Sequence, residues 1–294
     1  MSTIIVDNKV KRVVSNIRNL PTPPIVFHQM EKVINSPKAT AGQVAAVLSE
    51  DPAMSAKVLK LTNSAFYGLS REVDSVKQAV VIVGLEAIKN LVLSASVLDM
   101  FKGKNLDQES QEEFWRHSLA TAVCGRILAE KVKSRGVVDP DSAFSAGLLH
   151  DIGKMVILCF LPEEYTLFKR ERHINRDDPD YEIEQQVLGY NHAHIGGHLA
   201  AHWKLPARLG DAITFHHHPQ LNDRDDPLVY LVHIANYLAQ KTFCHQESSY
   251  LSRSLEPSVL EYMLISESDM DEYGEALRKE YLKAETFMQL AGIS

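Results

Sequence analysis

A histidine and an aspartate stand side by side at His150 and Asp151, in the stretch GLLHDIGK. The flanking residues are mostly apolar, so the pair is predicted to lie in a buried helix. Burying a carboxylate is unfavourable unless its charge is compensated, and an adjacent histidine on its own compensates it poorly. We therefore interpret the doublet as part of a metal site, against the alternative of two core residues that hydrogen-bond to each other.

Further candidate ligands follow from the distribution of histidine. The chain has 13 histidines, and 11 of them lie from His117 to His233. Imidazole is the commonest metal ligand in proteins, and helical bundles build metal centres from ligands on separate helices. Taken in chain order, the candidates are His117, His150 with Asp151, His192, the run His216, His217 and His218, and Asn236 in HIANYLA.

A mixture of histidine with a bridging aspartate indicates the kind of metal. It suits iron, manganese, nickel or magnesium better than a closed structural zinc site. One or two divalent ions are therefore expected. Adjacent residues on a helix diverge by about 100°, so His150 and Asp151 can share a site only if other helices complete it.

Several histidines compete for the same role. His194, His198 and His202 follow at i, i+4 and i+8 spacing, which also resembles a metal clip, although the small residues between them favour packing or surface roles. His216, His217 and His218 cannot all point inward, and His218, which precedes a proline, is predicted to face solvent.

Two cationic residues are candidates for binding phosphate. Lys154 lies one turn beyond His150 and is either a point charge for a substrate phosphate or an ordinary solvated lysine. Arg116 is a weaker candidate for the same task.

The elements that must position these residues are predicted to be helices throughout, because apolar residues recur at intervals of three and four. LPTPP at 20–24 breaks the chain between the first two helices. Thr40 with Gln43 predicts a capping box, and Asp51-Pro52 predicts a helix start. A single helix is expected to begin at Asp139-Pro140 and to contain the HD doublet.

The predicted fold is an all-α helical bundle of two lobes with a helical tail. A polar stretch, FKGKNLDQES at 101–110, indicates the boundary between the lobes. We expect an N-terminal lobe over 1–105, a second lobe with the metal site over 106–245, and a C-terminal tail over 246–294.

Bulk composition excludes several classes of protein. A net charge of −7 and a pI near 6.0 disfavour nucleic-acid binding. No apolar run approaches the roughly 20 residues of a membrane span, and the N-terminus lacks the order of a signal peptide. Three separated cysteines indicate reduced thiols. A cytoplasmic location is therefore expected.

The order of these motifs resembles known families. His117, the doublet HDIGK, a later histidine and a double histidine are similar to the HD superfamily of metal-dependent phosphohydrolases. LPTPPIVFHQMEKVI, DPAMSAKVLKLTNSAFYG and AVVIVGLEAIKNLVL closely resemble the HDOD family, the HD-related output domains of bacterial signalling. The resemblance covers roughly residues 15–245 and implies an all-helical regulator with an HDOD N-terminal lobe and an HD-like C-terminal lobe.

The resemblance also implies a ligand set. His117 matches the first histidine of the HD pattern, and His150 and Asp151 match the doublet. His192, rather than His194, matches the later histidine of the two-metal branch, because Ile195 and Gly196 follow in its turn. His216 and His217 match the double histidine.

Two departures from the HD pattern bear on activity. The final aspartate falls at Asn236, which offers a neutral oxygen in place of a carboxylate and should weaken the first metal position. The Asp-Gly-x-Gly-Tyr-Pro segment of cyclic-di-GMP phosphodiesterases is missing after the double histidine.

The expected function is accordingly a cytoplasmic bacterial signal-transduction regulator with a largely retained metal site. It would act through a signalling protein partner or a small phosphorylated ligand. The alternative is a metal-dependent phosphohydrolase or phosphodiesterase acting on a nucleotide or cyclic nucleotide, with Asp151 and Lys154 as catalytic residues. The oligomeric state is left open.

Overall fold

The structure, a computed structural model, describes residues 2–17, 25–101, 108–132, 138–243 and 255–291. Within these ranges the regular elements are all helices and no strand occurs, which confirms the all-α prediction. Contacts divide the chain into two compact units. The larger unit consists of Met1–Leu20 and Lys104–Leu277, and the smaller unit consists of Pro21–Gly103 and Arg278–Ser294.

The helices of the smaller unit are α2 (Ile25–Ile34), α3 (Ala41–Ser49), α4 (Pro52–Thr62), α5 (Val76–Val83) and α6 (Leu85–Met100). Those of the larger unit are α1 (Ser2–Asn16), α7 (Gln108–Lys131), α8 (Pro140–Leu149), α9 (Ile152–Phe160), α10 (Pro162–Ile174), α11 (Asp180–Leu188), α12 (His192–His202), α13 (Ala207–Phe215), α14 (Pro227–Phe243) and α15 (Pro257–Met263). The last helix, α16 (Glu267–Ala291), passes from the residues of the larger unit to those of the smaller one at Leu277.

Local signals in the smaller unit set its helix boundaries. The Thr40 hydroxyl accepts a hydrogen bond from the Gln43 amide, and the Gln43 side chain accepts one from the Thr40 amide, which is the predicted capping box. The Asp51 carboxylate caps α4 ahead of Pro52, as predicted. Gly84 adopts φ +97°, a conformation that favours glycine, and turns the chain by 117° between α5 and α6.

The grouping of the termini differs from the three predicted segments. Val10 and Val14 of α1 are buried, and Lys9 Nζ donates to the Leu188 carbonyl at the end of α11, so α1 packs within the larger unit. In the expected tail, Val259 and Met263 of α15 are also buried, with α15 against α14. The termini are therefore parts of the two units, because their apolar faces are buried there.

Some predictions fall on residues outside the described ranges. The break LPTPP at 20–24 lies there, as does most of the polar stretch proposed as the boundary near 105. The boundary near 245 and Cys244 are also outside. The two cysteines within the described ranges, Cys124 and Cys159, are free thiols.

The helix predicted to contain the HD doublet is divided in two. α8 ends at Leu149 and α9 begins at Ile152, with His150 and Asp151 between them. Asp151 has φ −96° and ψ 10°, in the bridge region between the helical and extended conformations. The departure from helical dihedrals at Asp151 is local, and it lies where both side chains are directed towards one centre.

Two glycines allow the helices around this break to approach closely. A Cβ atom on Gly147 would lie 2.7 Å from Cα of Ala122 on α7, and one on Gly153 would lie 1.9 Å from the carbonyl oxygen of His192 on α12. Ordinary carbon–oxygen contacts are well above 3 Å, so only glycine fits at residue 153. Its lack of a side chain brings the doublet against the start of α12.

One described helical stretch is long and apolar enough to cross a membrane, contrary to the expectation that none would be. It spans Pro140–Phe160, and an 18-residue window within it has a mean hydropathy of 1.4 and is 78% buried inside the protein. α5 and α6 would pass the same test only if their bent pair were counted as one span. Core helices of soluble proteins pass this test too, so the finding is consistent with a soluble protein.

Replacing Gly153 by alanine is expected to destabilise the larger unit by about 3 kcal/mol or more, or to prevent its folding, because the new methyl group overlaps backbone that cannot move aside independently. Chemical denaturation measures this change. Gly210→Ala on α13 is the control: its Cβ would meet only Ala200 Cβ at 3.7 Å, so we expect no loss and a gain of up to about 1 kcal/mol. Equal effects of the two substitutions would contradict the close-approach interpretation.

Candidate metal centre

The helices of the larger unit bring six of the predicted ligands to one place. His117 comes from the middle of α7, and His150 and Asp151 come from the break between α8 and α9. His192 is the first residue of α12, and His216 and His217 directly follow α13. Two groups of potential metal-binding side chains result, one of His117, His150 and Asp151 and the other of Asp151, His192, His216 and His217.

Asp151 lies between the two groups, and its two carboxylate oxygens face different histidines. Oδ2 is 3.6 Å from His117 Nε2 and 3.3 Å from His150 Nε2. Oδ1 is 3.0 Å from His192 Nε2 and 3.4 Å from His216 Nε2. Asp151 itself is only 1% exposed. The carboxylate therefore has the position of a bridge between two ligand sets.

Two of the imidazoles are oriented by hydrogen bonds to backbone carbonyls at helix ends. His150 Nδ1 lies 2.7 Å from the Gly147 carbonyl, and His216 Nδ1 lies 2.8 Å from the Ile213 carbonyl. The last carbonyls of a helix have no partner within the helix, and a carbonyl can only accept. Each Nδ1 therefore carries the proton, and each Nε2 presents a lone pair to the centre.

A third imidazole is oriented by a residue that the sequence analysis did not identify. Glu184 on α11 is 2% exposed, and its Oε2 accepts hydrogen bonds from His192 Nδ1 at 2.6 Å and from the His192 amide at 2.7 Å. A carboxylate behind a histidine ligand fixes the ring and increases its basicity. The available signal was helical spacing: Glu184 lies three residues after Tyr181 and four before Leu188, on the same face as these two apolar residues.

The charge states of these groups suit a cation. Burial, reinforced by His150, lowers the pKa of His117 to about 3, and burial also lowers the pKa of His216 to about 3. These imidazoles are thus neutral near pH 7. Burial disfavours charge on His192 as well, but Glu184 and Asp151 outweigh it and raise its pKa to about 9. Without an ion this imidazole is protonated near pH 7, and a metal would have to displace its Nε2 proton.

Asp151 remains ionised despite its burial. Burial by itself would raise the pKa of its carboxyl group, but His150, Lys154 and His192 outweigh it and hold the pKa well below the ordinary range. Burial, reinforced by His216, also lowers the pKa of His217 well below its ordinary value. The centre consequently contains an anionic bridge with three neutral rings beside it, those of His117, His216 and His217. Such a donor set is typical of a site for divalent cations.

Two buried atoms test whether the centre fits a metal ion. Asp151 Oδ1 and His216 Nε2 form no hydrogen bond with any described residue, although both are shielded from solvent. His217 Nε2 also faces His192 Nε2 at 2.9 Å. Without an ion, the protonated His192 can donate its Nε2 proton to His217. The lone pairs of Asp151 Oδ1 and His216 Nε2 have no donor, and a positive charge between them would satisfy both, so the residues fit a metal ion.

The separations between potential ligand atoms agree with coordination. Two ligand atoms bound at about 2.1 Å to one ion are about 3.0 Å apart at a right angle and about 3.4 Å apart at a tetrahedral angle. The contacts of Asp151 with the four nearest histidines span 3.0 to 3.6 Å. The donors are therefore already spaced for an ion.

Asn236 and Lys154 lie beside the centre with different surroundings. Asn236 on α14 is 6% exposed, and its side chain reaches His117, while its Oδ1 also accepts from Gln240 Nε2 at 3.2 Å. Lys154 Nζ donates to Asp151 Oδ2 at 2.8 Å. Lys154 is thus an ion-pair partner of the bridging aspartate rather than a simple solvated lysine. Asn236 remains a predicted ligand through its amide oxygen.

The competing histidines lie elsewhere. His194 Nδ1 accepts a hydrogen bond from the Asn191 amide in the capping box of α12, and His202 is exposed. His218 is exposed, as expected, whereas His217 stacks on Tyr181 with ring centroids 4.1 Å apart. Among the described histidines of this region, those grouped with Asp151 are the ones that match the HD pattern: His117, His150, His192, His216 and His217.

One further histidine connects the centre to the C-terminal segment. His233 on α14 is 2% exposed. Its Nδ1 donates to the His216 carbonyl at 2.7 Å, and its Nε2 accepts from the Glu256 amide at 2.9 Å. The backbone of a candidate ligand and the segment that begins α15 are therefore held by the same ring.

A family model for the HDOD domain matches residues 20–219. The chain belongs to the HDOD family. The matched range includes the first six candidate ligands, and Asn236 lies beyond it.

Solved structures of this family share the fold of the chain. An HDOD domain protein of unknown function from Geobacter sulfurreducens is 22% identical, with a TM-score of 0.79 and 99% of both chains covered. A candidate phosphohydrolase from Shewanella amazonensis SB2B is 25% identical, with a TM-score of 0.73, covering 96% of this chain and 98% of that one. A candidate signal transduction protein from Marinobacter aquaeolei VT8 is 20% identical with a TM-score of 0.79, and the match covers 99% of this chain but 65% of that protein.

An uncharacterised protein of Treponema pallidum (strain Nichols) is 26% identical over 228 residues. The match covers 76% of this HDOD chain and 43% of the Treponema protein, so it spans less than half of that relative's length.

Glu184→Gln is expected to weaken metal binding by roughly 10- to 100-fold without unfolding the protein, because the amide supports the His192 ring less strongly than a carboxylate does. Competition with a chelator of known affinity measures the change. The matched control is Glu163→Gln, at an exposed glutamate on α10. An unchanged metal affinity in Glu184→Gln would show that Glu184 does not support a ligand.

Proposed function

We propose that this HDOD protein is a cytoplasmic bacterial signal-transduction regulator that binds one or two divalent metal ions in its larger unit. Asp151 carries the proposal, because it is a buried carboxylate whose two oxygens face separate sets of imidazole nitrogens. His117 and His150, with Asn236, would hold one ion, and His192, His216 and His217 would hold the other. Asp151 would bridge them.

The chain's own residues would tune the centre. A bound divalent ion would supply Lewis-acid chemistry, by which it polarises a phosphoryl oxygen. Asp151 contributes the shared negative charge, and Glu184 fixes His192 in the orientation that a ligand needs. Lys154 shields one side of Asp151 and can instead turn its ammonium group to an incoming phosphate. Iron, manganese, nickel and magnesium are the metals that suit this donor set.

The regulatory part of the proposal has separate support. Family membership places the chain among HD-related output domains, and one solved relative is named as a candidate signal transduction protein. We propose that the protein acts through a signalling protein partner or a small phosphorylated ligand, without binding nucleic acid or a membrane. The metal ions would then stabilise the larger unit or make it sensitive to the supply of metal.

Elemental analysis of the purified protein tests the metal centre. We expect one or two equivalents of a divalent transition metal or magnesium per chain. Asp151→Asn should lose this metal while remaining folded, because it removes the charge shared by both positions. Asp141→Asn on α8, a half-buried aspartate outside the centre, should keep the wild-type content. Folded wild-type protein that binds no divalent metal, even after metal is added, would overturn the proposal.

Phosphoester hydrolysis is a second candidate function, favoured by a cavity next to the metal centre. His117, Asp151 and Lys154 all line this cavity, whose volume is about 630 Å³. A substrate there would have access both to the metal ligands and to a cation suited to binding phosphate. One solved relative at 25% identity is named as a candidate phosphohydrolase, which agrees with this possibility.

Metal-loaded protein should then hydrolyse at least one compound in a panel of phosphomonoesters, phosphodiesters and cyclic nucleotides. His150→Ala is expected to reduce the rate at least 100-fold, because it removes a candidate ligand at the bridge. His202→Ala, at an exposed histidine outside the centre, should not change it. Absence of turnover across the panel at full metal occupancy would exclude hydrolysis and leave the regulatory function.

A further inference from the structure

The cavity beside the metal centre has a wall that the metal chemistry does not use. α7, α9, α10, α11 and α14 surround it, and all belong to the larger unit. Its volume of about 630 Å³ is in the range of sites for small organic ligands. α10 forms one side of this cavity. None of its residues is a candidate metal ligand, and none is buried in the core.

Charged side chains around the cavity favour an anion. Lys154 pairs with Asp151, and Arg172 Nε pairs with Asp180 Oδ1 at 2.9 Å. The remaining cations of the lining are Arg116, Lys169 and Arg176, none of which forms an ion pair with a described residue. Glu113 is the lining carboxylate left to oppose these three. Arg116 follows Trp115 on α7 and is next in sequence to His117.

The same wall presents aromatic rings. No residue of α10 is buried, yet Tyr165 and Phe168 are half-buried where they line the cavity, with ring centroids 6.5 Å apart. The Tyr165 hydroxyl lies 3.2 Å from Ser110 Oγ on α7, which places its ring across the gap between these helices. Phe114 and Phe243 add further aromatic surface. The Lys169 ammonium lies over one face of the Tyr165 ring, 5.8 Å from its centroid. Since no residue of α10 is buried, Phe168 and the other face of Tyr165 are left to a ligand.

We propose that this cavity binds a nucleoside phosphate, with the base against Tyr165 and Phe168 and the phosphate towards Arg116 and Lys154. Aromatic rings stack on any nucleobase, and cations neutralise a phosphate. Arg116 forms no ion pair with a described residue, and Lys154 would turn from Asp151 to the phosphate. The phosphate end of the cavity adjoins the candidate metal centre, so this part of the proposal rests on the proposed function. The base end does not, because α10 carries none of the candidate ligands.

Ribose 5-phosphate is the informative comparison, since it has the sugar and phosphate of a nucleotide without the base. Calorimetry with metal-free and with metal-loaded protein would compare it with AMP, GMP, CMP and UMP. We expect at least one of the four to bind on the order of tenfold more tightly than ribose 5-phosphate in both preparations, the difference being base stacking. Metal should strengthen binding of the nucleotide and of ribose 5-phosphate alike.

Variants separate the two ends of the cavity. Tyr165→Ala should abolish the advantage of the nucleotide and leave the affinity for ribose 5-phosphate unchanged, while Tyr165→Phe should retain the advantage. Leu167→Ala, at an exposed residue of α10 outside the cavity lining, is the matched control. Arg116→Gln should weaken nucleotide and ribose 5-phosphate by the same factor, whereas Arg170→Gln, outside the lining, should weaken neither.

The outcomes distinguish this inference from the proposed metal centre. If none of the four nucleotides binds more tightly than ribose 5-phosphate, or if Tyr165→Ala leaves the advantage intact, the nucleoside site is overturned and the metal centre is unaffected. If the advantage is present but no metal is bound, the base site stands and the metal centre fails.

Discussion

The arrangement of the larger unit depends on one buried negative charge, the carboxylate of Asp151. Removing an ionised carboxylate from water costs several kcal/mol unless charges and hydrogen-bond donors nearby compensate it. Here Lys154 donates to one oxygen, and His150 and His192 hold the pKa of the carboxyl group below its ordinary range. The neutral imidazole nitrogens that converge beside them have no use in an apolar core, and they complete a site suited to a divalent cation.

Orientation of the imidazoles comes from groups that do not touch the centre. Two rings are fixed by the carbonyls that remain unpaired at helix ends, and a third is fixed by Glu184. Residue 153 has to be glycine, because the start of α12 lies against it. The geometry of the candidate metal centre is therefore a consequence of helix ends that meet closely, and a substitution at a distance can disturb it without replacing a candidate ligand.

The cavity connects the two proposed functions. A regulator needs a site that distinguishes ligands, and a hydrolase needs a site that orients a substrate next to its metal. α10 could serve either purpose, because its aromatic and basic residues line the cavity while none of its residues is buried. α14 and α15 lie after residue 219, where the match to the family model ends. His233 on α14 links them to the candidate metal centre, because its ring hydrogen-bonds both to the His216 carbonyl and to the Glu256 amide, just before α15.

The sequence by itself determined the helical class, the capping residues such as Thr40 and Asp51, and the identity of the six histidine and aspartate candidates. These follow from local periodicity, from short-range hydrogen bonding and from the order of the motifs. Only the tertiary structure decided that the helix breaks at the doublet, that Glu184 supports His192, and that the chain termini pack within the two units. The physical reason is that these features depend on contacts between residues far apart in the chain. The role of Glu184, for example, becomes specific only when α12 brings His192 against it.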